Sequence, residues 1–128
     1  MERQLISSGS PYEPVAGFSR AVRVGQHVYV AGTAPIMPDG GEPPGDMYGQ
    51  TRRCLGIIGE ALEKAGASFE NIVRTRAYAT SADLFDEFAR AHGDVFAEIR
   101  PASTFVVVAA LADSRWVIEL EADAVVTP

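Results

Sequence analysis

Residues 116–126 alternate in character, with Ile118, Leu120, Ala122 and Ala124 on one parity and Glu119, Glu121 and Asp123 on the other. A period of two is that of a β-strand, whose successive side chains point to opposite faces of a sheet. The chain must therefore build a sheet with one apolar face to cover and a row of carboxylates on the other. Just ahead of it, residues 103–111 (Ser-Thr-Phe-Val-Val-Val-Ala-Ala-Leu) are apolar almost throughout, the pattern of a strand buried on both faces.

Two further β-rich runs, 18–24 and 27–34, flank Gly25-Gln26, a Gly-X pair of the type II′ hairpin kind. Residues 38–45 (Pro-Asp-Gly-Gly-Glu-Pro-Pro-Gly) exclude helix and central strand, and predict a surface loop. From Asp46 the period lengthens: Met47, Thr51, Cys54, Leu55, Ile58, Leu62 and Ala65 recur at three- and four-residue steps, with Gly66 as a C-terminal stop. That spacing predicts an amphipathic helix of about five turns. Residues 72–79 read as another strand, and Thr80-Ser81-Ala82-Asp83 carries the capping-box pattern that opens a second helix. Phe85, Phe88, Val95, Phe96 and Ile99 mark its apolar side, and Pro101 ends it.

The resulting order, β-β-α-β-α-β-β, gives four or five strands with two helices on one face, an α+β layer arrangement. With 128 residues, 47% of them hydrophobic, the chain has the size and the core of one domain spanning 1–128. Arg74 and Arg76 on the third strand are placed to pair with the carboxylates of the last, and the apolar remainder of that open face predicts self-association.

Composition narrows the function classes. A net charge of −6 with a single lysine, Lys64, argues against a phosphate-backbone partner. No stretch reaches the roughly 18 apolar residues of a membrane span, and the N-terminus lacks the apolar core of a secretory signal. A soluble cytoplasmic protein with no membrane partner is the expectation. One cysteine allows neither an intrachain disulfide nor a thiolate zinc cluster; no metal and no cofactor are expected. Cys54, on the apolar stripe, reads as a small buried hydrophobe, and His92, on the stripe of the second helix, as a hydrogen-bonded core or interface residue.

Each segment also resembles the corresponding segment of the RidA (YjgF/YER057c/UK114) family. Ile6-Ser7-Ser8 resembles its Ile-Ser-Thr start, and Gly17-Phe18-Ser19-Arg20-Ala21-Val22 its Gly-Pro-Tyr-Ser-Gln-Ala-Val stretch. Ala31-Gly32-Thr33-Ala34-Pro35 is similar to its Ser-Gly-Gln-Ile-Pro strand end, and Gln50-Thr51 to its Gln-Thr helix. Arg100-Pro101-Ala102-Ser103-Thr104, followed by Val106, Val108 and Glu119-Leu120-Glu121-Ala122, resembles the signature Arg-Pro-Ala-Arg-Ser-Cys-Val-x-Val and Val-Glu-Ile-Glu-Ala.

The resemblance implies a chorismate-mutase-like fold, a barrel-like homotrimer, and small-molecule pockets at the subunit interfaces. In catalytic members an arginine grips a substrate carboxylate while a glutamate and backbone groups hold the water that hydrolyses a 2-imino acid. Carried onto this chain, Glu119 takes the place of the glutamate and Gly32 that of the pocket glycine. Phe18, with Ser19 beside it, stands for the family's tyrosine, Ser103 for the arginine, and Phe105, after Thr104, for a cysteine. A serine hydroxyl cannot reproduce the charged fork of an arginine. Either another arginine (Arg20, Arg76 or Arg100) enters the pocket, or the ligand lacks a carboxylate; the second is preferred, Arg100 being placed for a structural role at the helix end. Three functions follow: an imine or enamine hydrolase of deaminase type with an altered substrate, a ligand-binding or regulatory trimer without chemistry, or an endoribonuclease or translation inhibitor, which the acidic balance disfavours.

Overall fold

The computed structural model describes residues 2–127. Its six strands are β1 (Arg3–Ile6), β2 (Ala21–Val24), β3 (His27–Thr33), β4 (Ile72–Ala79), β5 (Ala102–Val107) and β6 (Ile118–Val125); its three α-helices are α1 (Tyr12–Ala16), α2 (Met47–Lys64) and α3 (Phe85–Phe96). The strands form one mixed sheet in the order β1-β2-β3-β6-β4-β5. Every neighbouring pair is antiparallel except β4 and β5. A parallel pair needs a crossover, and α3 provides it.

The local signals explain most of these elements. Gly25 takes the left-handed φ of 59° that opens the β2–β3 turn. The Asp46 carboxylate accepts the Gly49 amide at 2.9 Å and caps α2, which ends before Gly66 at φ 79°. All seven stripe residues read from the sequence of α2 are buried, and the six apolar ones pack with Val28, Val30, Ala77, Ile118, Leu120, Phe88 and Phe96 into one core. Cys54 is fully enclosed there, and burial pushes its thiol pKa well up, so it behaves as a hydrophobe. On the opposite face Arg76 pairs with Glu121 at 3.2 Å and Asp123 at 3.4 Å, Arg74 with Asp123 at 4.0 Å, and the Tyr78 hydroxyl donates to Glu121 at 2.8 Å.

Four expectations need correction. First, the apolar run at 103–111 is not a strand buried on both faces: β5 stops at Val107 and forms the sheet edge, with Val106 and Val107 41% and 51% exposed. Hydrophobic patterning reports that a surface is to be covered, not which chain covers it. Second, the strand and helix counts omit β1 and α1. Only Ile6 of β1 is buried, so no period shows, and α1 has five residues around Pro14. Third, Ser81 caps a short 3₁₀ turn (Ala82–Leu84) ahead of α3 rather than α3 itself. Fourth, β2 begins at Ala21 and β6 at Ile118, each later than the composition indicated. The residues before Ile118 are held by Gln50, whose amide donates to the Arg115 carbonyl and whose carbonyl oxygen accepts the Val117 amide. Pro101 bars right-handed helical geometry from Arg100, which adopts φ 57° instead.

Candidate functional site

The short helix α1 is fixed by the carboxylate of Glu13, which is 4% exposed. It accepts from the Ser7 hydroxyl at 2.8 Å, the Ser8 amide at 3.2 Å and the Ser8 hydroxyl at 2.5 Å. Burial alone raises its pKa, but the bonds from Ser8 and Ser7, with help from Arg20, outweigh it and leave the group below the ordinary value. Arg20, also 4% exposed, lies beside it, its Nε 3.9 Å from Glu13 and without a hydrogen-bond partner. Nη1 of Arg20 donates to the Gly32 carbonyl at 2.9 Å and the Thr33 hydroxyl at 3.1 Å, and the guanidinium sits 5.4 Å over the Phe18 ring. Arg20 thus joins α1 to the end of β3.

Glu119 comes to the same place from β6. The β3–β6 register shifts between Val30 and Thr33, which brings Gly32 against the Glu119 side chain. A Cβ on Gly32 would lie 2.5 Å from Oε2 of Glu119, so only glycine leaves room for the carboxylate in this position. Glu121 and Asp123 are held by arginines, whereas Glu119 makes no hydrogen bond among the described residues. Burial raises its pKa and Glu121 adds to the effect, while Arg20 opposes both. A half-buried acid with a raised pKa and free lone pairs is equipped to hold water and to exchange a proton with it.

Gly32→Ala is expected to push the Glu119 carboxylate aside with little loss of stability, because the displaced group is the end of a flexible side chain. The check pairs a denaturation curve with a ligand or activity measurement: the midpoint should hold while the site measurement falls.

The remaining expected site residues lie elsewhere in the chain. Ser103 stands opposite Thr75, and Thr75 opposite Ala122 on β6, three residues past Glu119 and on the helix-covered face. The Ser103 hydroxyl is 2.8 Å from that of Thr75, which is 2.9 Å from Nε2 of His92 on α3. Phe105 packs its ring 5.1 Å from those of Phe85 and Phe88. Thr104 pairs with Arg76 and shares the open face. One chain therefore brings Phe18, Ser19, Gly32 and Glu119 to one end of the sheet and Ser103, Thr104 and Phe105 to its β5 edge, without joining them.

A cleft of about 730 Å³ is lined by Phe18, Ser19, Ala31 and Arg76, and a second of about 650 Å³ by Arg20, Arg53, Arg115 and Trp116. Neither is lined by Glu119 or Ser103. Of the candidate arginines, Arg20 is the one whose charge is felt at Glu119; Arg76 is engaged by Glu121 and Asp123, and Arg100 is exposed. Sequence reasoning missed Glu13 as the buried anchor and Thr75 as the link between Ser103 and His92. The partners are 28 and 17 residues from Thr75, beyond any local pattern.

The family model described as Endoribonuclease L-PSP matches residues 9–126. A solved Mycobacterium tuberculosis structure described as Rv2704, a member of the YjgF/YER057c/UK114 family, superposes with a TM-score of 0.90 at 41% identity, covering 98% of this chain and 100% of that one. A RutC family protein of Pyrococcus abyssi is 34% identical over 95% of this chain and 96% of its own. The mouse 2-iminobutanoate/2-iminopropanoate deaminase is 30% identical over 98% of this chain and 93% of its own.

Proposed function

This chain belongs to the YjgF/YER057c/UK114 family, and from that membership we propose that it is a homotrimeric hydrolase of small imines or enamines, with its pockets between subunits. In each pocket one copy supplies Phe18, Gly32 and Glu119, and its neighbour supplies Ser103, Thr104 and Phe105. The separation of these two groups within one chain and the exposed apolar edge at Val106 and Val107 support a pocket completed by a second copy.

The observation that carries the catalytic reading is Glu119: half-buried, raised in pKa, unbonded, and fitted against Gly32. Its carboxylate takes a proton from water as the oxygen adds to the C=N carbon, and the nitrogen is protonated in turn. Collapse of the resulting carbinolamine releases ammonia and leaves a carbonyl product, so atoms and charge balance. Arg20 and the Gly32 backbone fix the site against which the acid works. Ser103 in place of the arginine directs the pocket towards a substrate with no carboxylate at that point.

The test follows ammonia and carbonyl release from freshly generated imines with and without a carboxylate, alongside the mass of the assembly in solution. Turnover of the uncharged class by a trimer is the expected result. The second reading, a ligand-binding trimer without chemistry, is favoured by Ser103; it gains if neither class is turned over while a small molecule occupies the pocket. An RNA-cleaving role has little support in the charge distribution, since Arg74 and Arg76 on the open face are engaged by Asp123 and Glu121.

A further inference from the structure

The serine that replaces the arginine is the outer end of a hydrogen-bonded chain, Ser103–Thr75–His92, with links of 2.8 and 2.9 Å. Thr75 is 2% exposed, so no solvent competes for its hydroxyl. The His92 ring packs between Phe88 at 5.2 Å and Phe96 at 4.5 Å. Charged groups of the surrounding elements are turned elsewhere. Arg90 lies over the Tyr48 ring, and Asp94 accepts from the Tyr48 hydroxyl and faces Arg52. Arg74 and Arg76 of β4 lie on the far side of the sheet with Asp123 and Glu121, and β5 carries no ionisable residue. Burial alone lowers the His92 pKa.

A threonine hydroxyl has one proton, so it donates to only one of its two neighbours. When Nε2 of His92 bears a proton, it donates to Thr75, Thr75 donates to Ser103, and the Ser103 proton points outward. When Nε2 is bare, the direction reverses and Ser103 presents lone pairs. We propose that Thr75 and His92 set the hydrogen-bonding polarity of Ser103, so that the pocket takes an uncharged group able to donate or accept at this point and favours an oxyanion only while Nε2 of His92 bears its proton. This rests on the reading above that Ser103 faces the ligand. The arginine's permanent charge is thereby replaced by a conditional one, two hydroxyls removed.

The experiment titrates the intact protein with acetate and with acetamide, its neutral counterpart, across the His92 transition, reading the amides of Ser103 and Thr104 and the ring nitrogens of His92 by NMR. Acetate should bind more tightly, on the order of fivefold, once His92 is protonated, as expected for one added charge at intermediate dielectric. Acetamide should show little change. Thr75→Val, which replaces the middle hydroxyl by a methyl group, should flatten the acetate profile, whereas Glu63→Gln, on the exposed side of α2, should keep it. If Thr75→Val does not fold, His92→Phe, matched to its aromatic neighbours, should give the same flat profile. An acetate profile without pH dependence, or one unchanged in both variants, overturns the proposal. If neither probe moves the Ser103 and Thr104 amides while the His92 nitrogens still respond to Thr75→Val, it is the placement of Ser103 in the pocket that fails.

Discussion

Glu119→Gln is expected to reduce imine hydrolysis by about 10²- to 10⁴-fold, the usual contribution of a positioned acid–base group. Glutamine has the same shape and fits beside Gly32, so the loss should appear in kcat rather than in folding. The raised pKa also fixes the sign of a stability effect. A carboxyl that holds its proton more tightly when folded stabilises the fold while protonated, and that contribution is lost as pH rises from the ordinary glutamate range through its folded value. At neutral pH the ionised form is a burden, so Glu119→Gln should unfold at a slightly higher temperature than the parent. The difference should vanish in acid, where both side chains are neutral. Kinetics with thermal unfolding at two pH values checks both parts. A variant as active as the parent would remove the acid–base role.

Arg20→Leu should destabilise the fold by about 3 kcal/mol, the typical cost of leaving a buried partner charge uncompensated. Both side chains of the Glu13–Arg20 pair are 5% exposed, so solvent cannot take over. The Gly32 carbonyl and the Thr33 hydroxyl lose their donor as well. Because Glu13 is held below its ordinary pKa, its ionised form contributes stability that is complete above the unfolded value and lost as pH falls through the folded one. Arg20 is the smallest of the effects that lower Glu13, after the hydrogen bonds from Ser8 and Ser7. The deficit of Arg20→Leu should therefore be only somewhat larger at neutral pH than in acid, most of it coming from the lost hydrogen bonds. Urea unfolding at the two pH values reads this directly, and a deficit independent of pH would contradict the account of the pair.

The elements that were legible in the sequence are those whose pattern is satisfied within the chain. The α2 stripe from Met47 to Ala65, the Gly25 turn and the alternation of β6 each report a local geometry and a nearby partner. Family resemblance carried the rest of the fold and singled out Glu119 and Gly32, which the structure brings against each other. Three features escaped for distinct physical reasons. β1 buries only Ile6 and is held by its pairing with β2, and α1 is held by the bonds of Glu13 to Ser7 and Ser8; neither leaves a period. β5 reads as buried from its composition, yet its outer side has no cover within one chain. The contacts that define Ser103, through Thr75 to His92, join residues that neither propensity nor spacing relates. The candidate residues could be named from the sequence but their hydrogen-bond network could not, since a network is a property of the folded arrangement.

In the proposed function, position 103 sets the substrate preference within the fold shared with the deaminases, and Ser103→Arg tests this most directly. The exposed edge strand gives the longer side chain room, and a charged fork should recover one or more hydrogen bonds of about 1.5 to 3 kcal/mol to a carboxylate. Rates of ammonia release from a freshly generated 2-imino acid are compared for parent and variant. The account predicts slow turnover by the parent and a gain of roughly ten- to a hundredfold on substitution, dependent on Glu119. A parent already as fast as the variant, or a gain that persists in Glu119→Gln, would contradict it.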